Sequence, residues 1–243
     1  MSIIRTIIFF AYFFAYMIVH PGALNEAMEA RTAGRNDEAD TIVDKYIPHW
    51  CGTLLRLAGV KITVTGRENI PEGQPCLFAA NHRSYFDIPV VLTSLDRPHG
   101  ILAKAETDKI PYIRKWMRAL DCVFVRRDDV KDSLKAFTEV VKRLKNGRSF
   151  VIFPEGTRYK GNEGEIGEFK NGTLRMAVKA GVPIVPIAIS GTRACMEGNH
   201  MLVTPSEVTV RILEPVSTDG LDKEAQKQLT AELENRIREA LNA

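Results

Sequence analysis

Two short segments of this chain carry residue types able to do chemistry. The first, Asn81-His82-Arg83-Ser84-Tyr85-Phe86-Asp87, sets an imidazole five positions before a carboxylate. The second, Phe153-Pro154-Glu155-Gly156-Thr157-Arg158, lies well downstream and ends in a guanidinium. The first offers a general base with a group to orient it. The second offers a planar fork suited to a bound anion such as a phosphate. On spacing alone the motif is weak, because a surface His beside a helix-capping Asp reads the same way.

Geometry restricts how His82 and Asp87 can meet. Five positions on a continuous helix leave two side chains about 140° apart. The pair therefore needs a turn after His82 and a helix starting near Phe86. The chain fits that demand. Cys76 to Ala80 is a short apolar run suited to a buried strand, Asn81 to Ser84 is polar, and Asp87 to Leu92 reads as a helix start. Pro89 is tolerated there because the first turn needs no N–H from it. The second segment follows the same grammar. Ser149 to Phe153 is an uncharged strand pattern, and Pro154 ends it because proline cannot donate to a sheet ladder. Glu155 to Arg158 then lie beyond a strand's carboxyl end, where α/β proteins place their sites. Taken singly, Arg158 could be a solvated charge and Glu155 a local cap.

The residues together resemble the glycerolipid acyltransferases of the 1-acylglycerol-3-phosphate acyltransferase type. The resemblance runs from about Cys51 to Ser190 in four ordered blocks. These are Asn81 to Asp87, Val123-Phe124-Val125-Arg126-Arg127, Phe153 to Arg158, and Val182-Pro183-Ile184-Val185-Pro186-Ile187. Phe169-Lys170-Asn171-Gly172 resembles a further segment after the third block. One departure stands out: Asp121 occupies a place where the family often has Gly, so the backbone there is in question.

Composition is consistent with a domain plus an appendage. The chain has 243 residues, 45% hydrophobic, with a formal net charge of +3. Charge is uneven: Arg97 to Arg127 holds eight basic and three acidic residues. That stretch reads either as a solvated face or as an attractor of anionic headgroups and acidic donors. Cys51, Cys76, Cys122 and Cys195 form no Cys-x-x-Cys pair, which suits small core residues in a reduced compartment. The chain has no Gly-x-Ser-x-Gly elbow, P-loop or His-Glu-x-x-His pair, and the other histidines do not cluster. No metal and no nucleic-acid partner is expected.

The N-terminus is a separate matter. Ile3 to Val19 is apolar and aromatic, with an uninterrupted stretch from Ile7 of thirteen residues. A full bilayer crossing takes about twenty. Burial in one leaflet is favoured, ahead of a short tilted anchor; a secretory signal and a core helix are the other readings. Arg5 on one side and Arg31 and Arg35 on the other leave the orientation open. Gly22 to Glu38 reads as a linker, and Asp40 to Ala58 as an amphipathic helix with Ile42, Tyr46, Trp50, Leu54 and Leu57 on one face. This divides the chain into a membrane-associating segment (1–20), a linker with an amphipathic helix (21–58) and an acyltransferase domain (59–243).

The remainder alternates strand and helix. Expected strands are 61–65, 75–80, 100–104, 122–126, 149–153, 184–189 and 208–213. Expected helices are 87–95, 111–119, 130–146, 172–180 and 222–241, with Gly147 and Gly181 past two helix ends. The fold class is α/β, a mainly parallel sheet covered by helices.

The resemblance implies transfer of a fatty acyl group from a thioester to the free hydroxyl of 1-acylglycerol 3-phosphate. The donor is acyl carrier protein or coenzyme A, and no cofactor is needed. His82 is then the base and Asp87 its orienting carboxylate. Glu155, Gly156, Thr157 and Arg158 form the acceptor site, with Arg126, Arg127, Lys104 and Lys170 as further candidates for the anion. The catalytic domain is placed at the cytoplasmic face of a membrane. Rival readings are the same chemistry on another acceptor (a lysophospholipid, glycerol 3-phosphate or an aminoacyl lyso-lipid), a lipid hydrolase, and a non-catalytic membrane module.

Overall fold

The computed structural model describes residues 1–221 and 223–243, with the side chains of residues 171, 223 and 227 outside the description. Three helices come first: α1 (Ser2–Val19), α2 (Pro21–Thr32) and α3 (Asn36–Ala58). Seven strands follow: β1 (Val60–Thr65), β2 (Leu77–Ala80), β3 (Gly100–Lys104), β4 (Val123–Val125), β5 (Phe150–Ile152), β6 (Ile184–Ser190) and β7 (Ser206–Ile212). Between and after them run α4 (Asp87–Ser94), α5 (Ile113–Ala119), α6 (Val130–Lys145), α7 (Asn171–Ala180) and α8 (Lys223–Asn242). Every expected strand and helix is present within a few residues, except that the expected start of the last helix, Asp222, lies outside the described residues.

The strands form one sheet in the order β1-β7-β6-β2-β5-β3-β4. β6, β2, β5, β3 and β4 run parallel, and β7 pairs antiparallel to β6. The sheet is thus mainly parallel, with β7 and its parallel neighbour β1 reversed. Both faces are covered, and the pleat sorts residues between them with a period of two. On β2, Phe78 and Ala80 join a core with helices α1 to α5, while Leu77 and Ala79 join one with α6 to α8. On β5, Val151 goes to the first core, and Phe150 and Ile152 to the second. This explains why these strands are continuously apolar.

Residues 22–38 are not a linker. α2 covers most of them and buries Leu24, Ala27 and Ala30 against its neighbours. Small alanines let helices approach closely and are themselves strong helix formers, so the small-residue composition stabilises packing here rather than flexibility. α3 begins at Asn36, four residues before the expected start, which places Asp40 inside the helix and buries it. The deeply buried stripe of α3 is Val43, Ile47, Cys51, Leu54 and Leu55. Of the expected stripe, Trp50 packs instead against α1, with its ring 5.0 Å from that of Phe13.

α1 is long and apolar enough to span a membrane by length and composition. It buries Phe9 and Met17, but leaves Ile3, Ile4, Ile7, Phe14, Ile18 and Val19 at least half exposed. It is anchored to the domain by the Thr6 hydroxyl, which accepts from Val203 N at 2.8 Å, and by Tyr16 Oη, which donates to Tyr46 O at 3.1 Å. Asp40 anchors the other N-terminal helices. Its carboxylate pairs with Arg31, Arg97 and Arg148, and Arg148 reaches on to Asp121 at 2.7 Å. Arg31 is thus a packing residue, with its Nε donating to Ala119 O at 2.9 Å. Burial alone would raise the Asp40 pKa; hydrogen bonds from Arg148 and Arg31 outweigh it and pull it to about 2.

Asp121 has φ 71°, in the region glycine prefers. The substitution inferred from the sequence therefore sits on a backbone that glycine would adopt without strain. Its side chain compensates through ion pairs to Arg143 at 2.6 Å and Arg148 at 2.7 Å.

Candidate active site

β2 and β5 are adjacent and in register, with Leu77 opposite Phe150 and Ala79 opposite Ile152. The segments leaving their carboxyl ends, 81–87 and 153–158, therefore emerge side by side. Asn81 is fully buried and acts as a backbone substitute: its Nδ2 donates to Ile189 O at 2.9 Å, and its Oδ1 accepts from Ile189 N at 2.8 Å. This ties the turn to β6 on the other side.

The chain then turns, and α4 starts at Asp87. Asp87 Oδ2 accepts from Arg83 N at 2.7 Å and Ser84 N at 2.8 Å, and it lies 2.7 Å from His82 Nδ1. With that oxygen already accepting from two backbone N–H groups, His82 Nδ1 is the donor of the third contact, so Nε2 carries the free lone pair. The His82 ring stacks on Phe153 at 4.2 Å and 25°, and its side chain is 15% exposed. The imidazole is held in plane between Asp87 and Phe153 and stays partly exposed to solvent.

Glu155 has a different position from the one expected of an acceptor-binding residue. It is buried, its Oε1 accepts from His82 N at 2.7 Å, and its Oε2 accepts from Gly167 N at 3.0 Å. Both oxygens are thus engaged with backbone, and Glu155 braces the His82 turn from beneath. Burial and the nearby Asp87 charge push its pKa up to about 7, against the pull of the two N–H donors and Arg83. Gly156 has φ 71°, and a Cβ there would lie 2.9 Å from Lys170 Nζ. The positive φ is what favours glycine here; the end of the Lys170 side chain lies close by but is flexible enough to shift. Thr157 is exposed.

Arg158 is brought to the same turn. Its guanidinium carbon lies 3.6 Å from the centroid of the Tyr85 ring, and Nη1 donates to Glu197 at 3.0 Å. Lys170 stands at the N-terminal boundary of α7, makes no side-chain capping hydrogen bond, and is exposed. Lys104, Arg126 and Arg127 stand at the carboxyl ends of β3 and β4, on the same sheet edge. With strands about 4.8 Å apart, β3 is two positions from β2 and β4 is three, so these cations flank the His82 turn rather than touch it. Lys104 pairs with Glu106 at 3.0 Å, and Arg126 with Asp132 at 3.4 Å. Arg127 is exposed and makes no ion pair among the described residues.

Two residues matter that sequence reasoning missed. Arg83 is 3% exposed and donates to Gly161 O, Asn162 O and Glu165 O, holding the loop after Arg158 against the turn. Its place inside the first motif was the available signal. Glu197 lies in the β6–β7 connection, outside every motif, and had none. Among the described residues, no group of three or more His, Cys, Asp or Glu side chains could hold a metal ion.

Comparison with known proteins agrees with this geometry. Residues 61–190 match the Acyltransferase family model. The chain is 30% identical to a 1-acyl-sn-glycerol-3-phosphate acyltransferase of Borreliella burgdorferi over 75% of this chain and 72% of that protein. It is 33% identical to a chloroplastic enzyme of that description from Brassica napus, over 75% of this chain and 51% of that one. The crystal structure of the 1-acyl-sn-glycerophosphate acyltransferase PlsC from Thermotoga maritima superposes with a TM-score of 0.82 at 29% identity, covering 99% of this chain and 96% of that one. The chain belongs to the acyltransferase family, among the 1-acyl-sn-glycerol-3-phosphate acyltransferases.

Proposed function

We propose that this acyltransferase moves a fatty acyl group from an acyl thioester to the free hydroxyl of 1-acylglycerol 3-phosphate, forming phosphatidic acid for phospholipid synthesis. The observation that carries the reading is the 2.7 Å contact between His82 Nδ1 and an Asp87 oxygen already held by two backbone amides. It leaves Nε2 free to take the hydroxyl proton. The hydroxyl oxygen then attacks the thioester carbonyl. Collapse of the adduct breaks the C–S bond, and the thiolate recovers the proton from the imidazolium. Asp87 stabilises that imidazolium while it exists. No covalent acyl-enzyme is required.

Arg158 binds the acceptor's phosphate, with Lys170 and Arg127, which make no ion pair among the described residues, as further candidates. Lys104 and Arg126, already ion-paired, contribute to the field at the rim. Glu155 supports the turn and does not contact substrate. The donor is acyl carrier protein or coenzyme A thioester, and no cofactor takes part. The exposed apolar face of α1 lies in the membrane surface, on the cytoplasmic side where these donors occur, so the lipid acceptor reaches the site without leaving the bilayer.

Purified protein in detergent, given several thioester donors and a panel of acceptors, tests the reading. Lysophosphatidate should be the preferred acceptor. His82→Ala should lower turnover by about 10²–10⁴-fold with unchanged melting. Release of free fatty acid without an acceptor would instead identify a hydrolase.

A further inference from the structure

Glu197 forms contacts that no motif accounts for. Its Oε1 accepts from Tyr85 N at 2.8 Å and from Arg158 Nη1 at 3.0 Å, and its Oε2 accepts from Ser84 Oγ at 2.6 Å. Ser84 N in turn donates to Asp87. One carboxylate thus joins the guanidinium of Arg158 to the turn that carries His82 and Asp87. The Tyr85 ring closes the other side of Arg158. Among the described residues this is the one hydrogen bond Arg158 makes, so its Nε and Nη2 edge remains available as a two-donor fork.

We propose that Glu197 is a positioning residue for acceptor recognition. It holds Arg158 against Tyr85, with the free edge of the guanidinium turned to the acceptor's phosphate at a set distance from His82. This rests on the reading of Arg158 as the phosphate ligand. A mobile arginine must be ordered when substrate binds, and fixing it beforehand removes that cost. The carboxylate does not simply compete with the phosphate, because three donors share its charge.

A double-mutant cycle tests this with the full chain in detergent, reading KM for lysophosphatidate, KM for the thioester donor, and kcat. Glu197→Ala should raise the lysophosphatidate KM roughly ten-fold and leave the donor KM unchanged. Glu197→Gln should retain part of the effect, because its carbonyl oxygen still accepts from Tyr85 N and Arg158; it also serves should the alanine variant melt early. In an Arg158→Ala background, Glu197→Ala should add nothing to the acceptor KM. Additive losses, equal effects on both substrates, or a lower acceptor KM would overturn the proposal. An Arg158→Ala variant with normal acceptor KM would remove the phosphate reading itself, and a Glu197 effect persisting there would assign that residue to the turn alone.

Discussion

Phe9 of the N-terminal helix stacks on Phe86, with ring centroids 5.4 Å apart and planes at 28°. Phe86 immediately precedes Asp87, so the apolar helix is in contact with the segment that orients the His82 imidazole. Phe9 is 6% exposed and Phe86 2%. Phe9→Ala should therefore cost about 3 kcal/mol of stability and also lower kcat, whereas Phe9→Leu should be mild. Thermal melting and turnover in the same detergent would show both; unchanged values for Phe9→Ala would mean that the contact supports neither.

The opposite side of α1 makes a separate prediction. Ile7 is 63% exposed and Phe14 52%. Each apolar side chain of this size gains about 1.5–3 kcal/mol on leaving water. Replacing both with Gln should cut vesicle binding by two orders of magnitude or more while leaving the melting temperature alone. Deleting residues 1–20 would lose the Phe9 and Thr6 contacts as well, so it confounds anchoring with folding. Co-sedimentation with vesicles that matches the unaltered protein would place the membrane contact elsewhere, most plainly in the basic stretch 97–127.

Glu155→Ala should damage the enzyme without touching substrate. It leaves His82 N and Gly167 N without their acceptor, at about 1–3 kcal/mol for each buried group. Glu155→Gln keeps an acceptor oxygen and should be milder. The pH response has a definite sign. The folded-state pKa is raised from 4.5 to about 7, so the share of stability from the neutral carboxyl is complete below about 4.5 and is lost as pH rises through about 7. The stability gap between the native protein and Glu155→Gln should narrow from pH 5 to pH 8 in denaturant titrations. A constant gap would show that the carboxyl does not titrate in that window.

Asp40 has the opposite sign. Its folded-state pKa is lowered from 3.8 to about 2, so its contribution is present above about 3.8 and is lost as pH falls through about 2. Asp40→Asn removes one partner from Arg31, Arg97 and Arg148 and should cost about 3 kcal/mol at neutral pH, with a shallower acid limb in the unfolding profile. A melting temperature within a degree of the unaltered protein would show that the three guanidiniums are satisfied without it.

Local pattern carried much of this protein. Continuous apolar runs marked the inner strands β2, β5 and β6, because a sheet buried on both faces needs apolar residues at successive positions, whereas β1 and β7 alternate apolar with polar residues. The His82–Asp87 pair was legible because a five-residue spacing demands a turn followed by a helix start. The positive φ of Asp121 was foreshadowed by the glycine its place suggested. The linker assigned to 22–38 failed for a physical reason: a run of small residues is compatible with flexibility or with close helix packing, and only the partner surface of α3 and α5 decides between them.

The sequence by itself determined the His82–Asp87 pairing, the turn that carries Arg158 and the strand ends on which they ride, since these depend on residue type and short spacing. Tertiary structure alone decided what each of them touches. Glu155 became a brace because the parallel register of β2 and β5 brings His82 N to one of its oxygens, while the loop before α7 brings Gly167 N to the other. Arg158 acquired Glu197 from a loop 39 residues further along, a pairing set by the β6–β7 connection and by no local signal. Arg31, which sequence offered as a flanking charge of the membrane segment, is drawn into the domain by Asp40. Long-range pairing depends on where backbones cross, and the pattern of neighbouring residues does not encode that crossing.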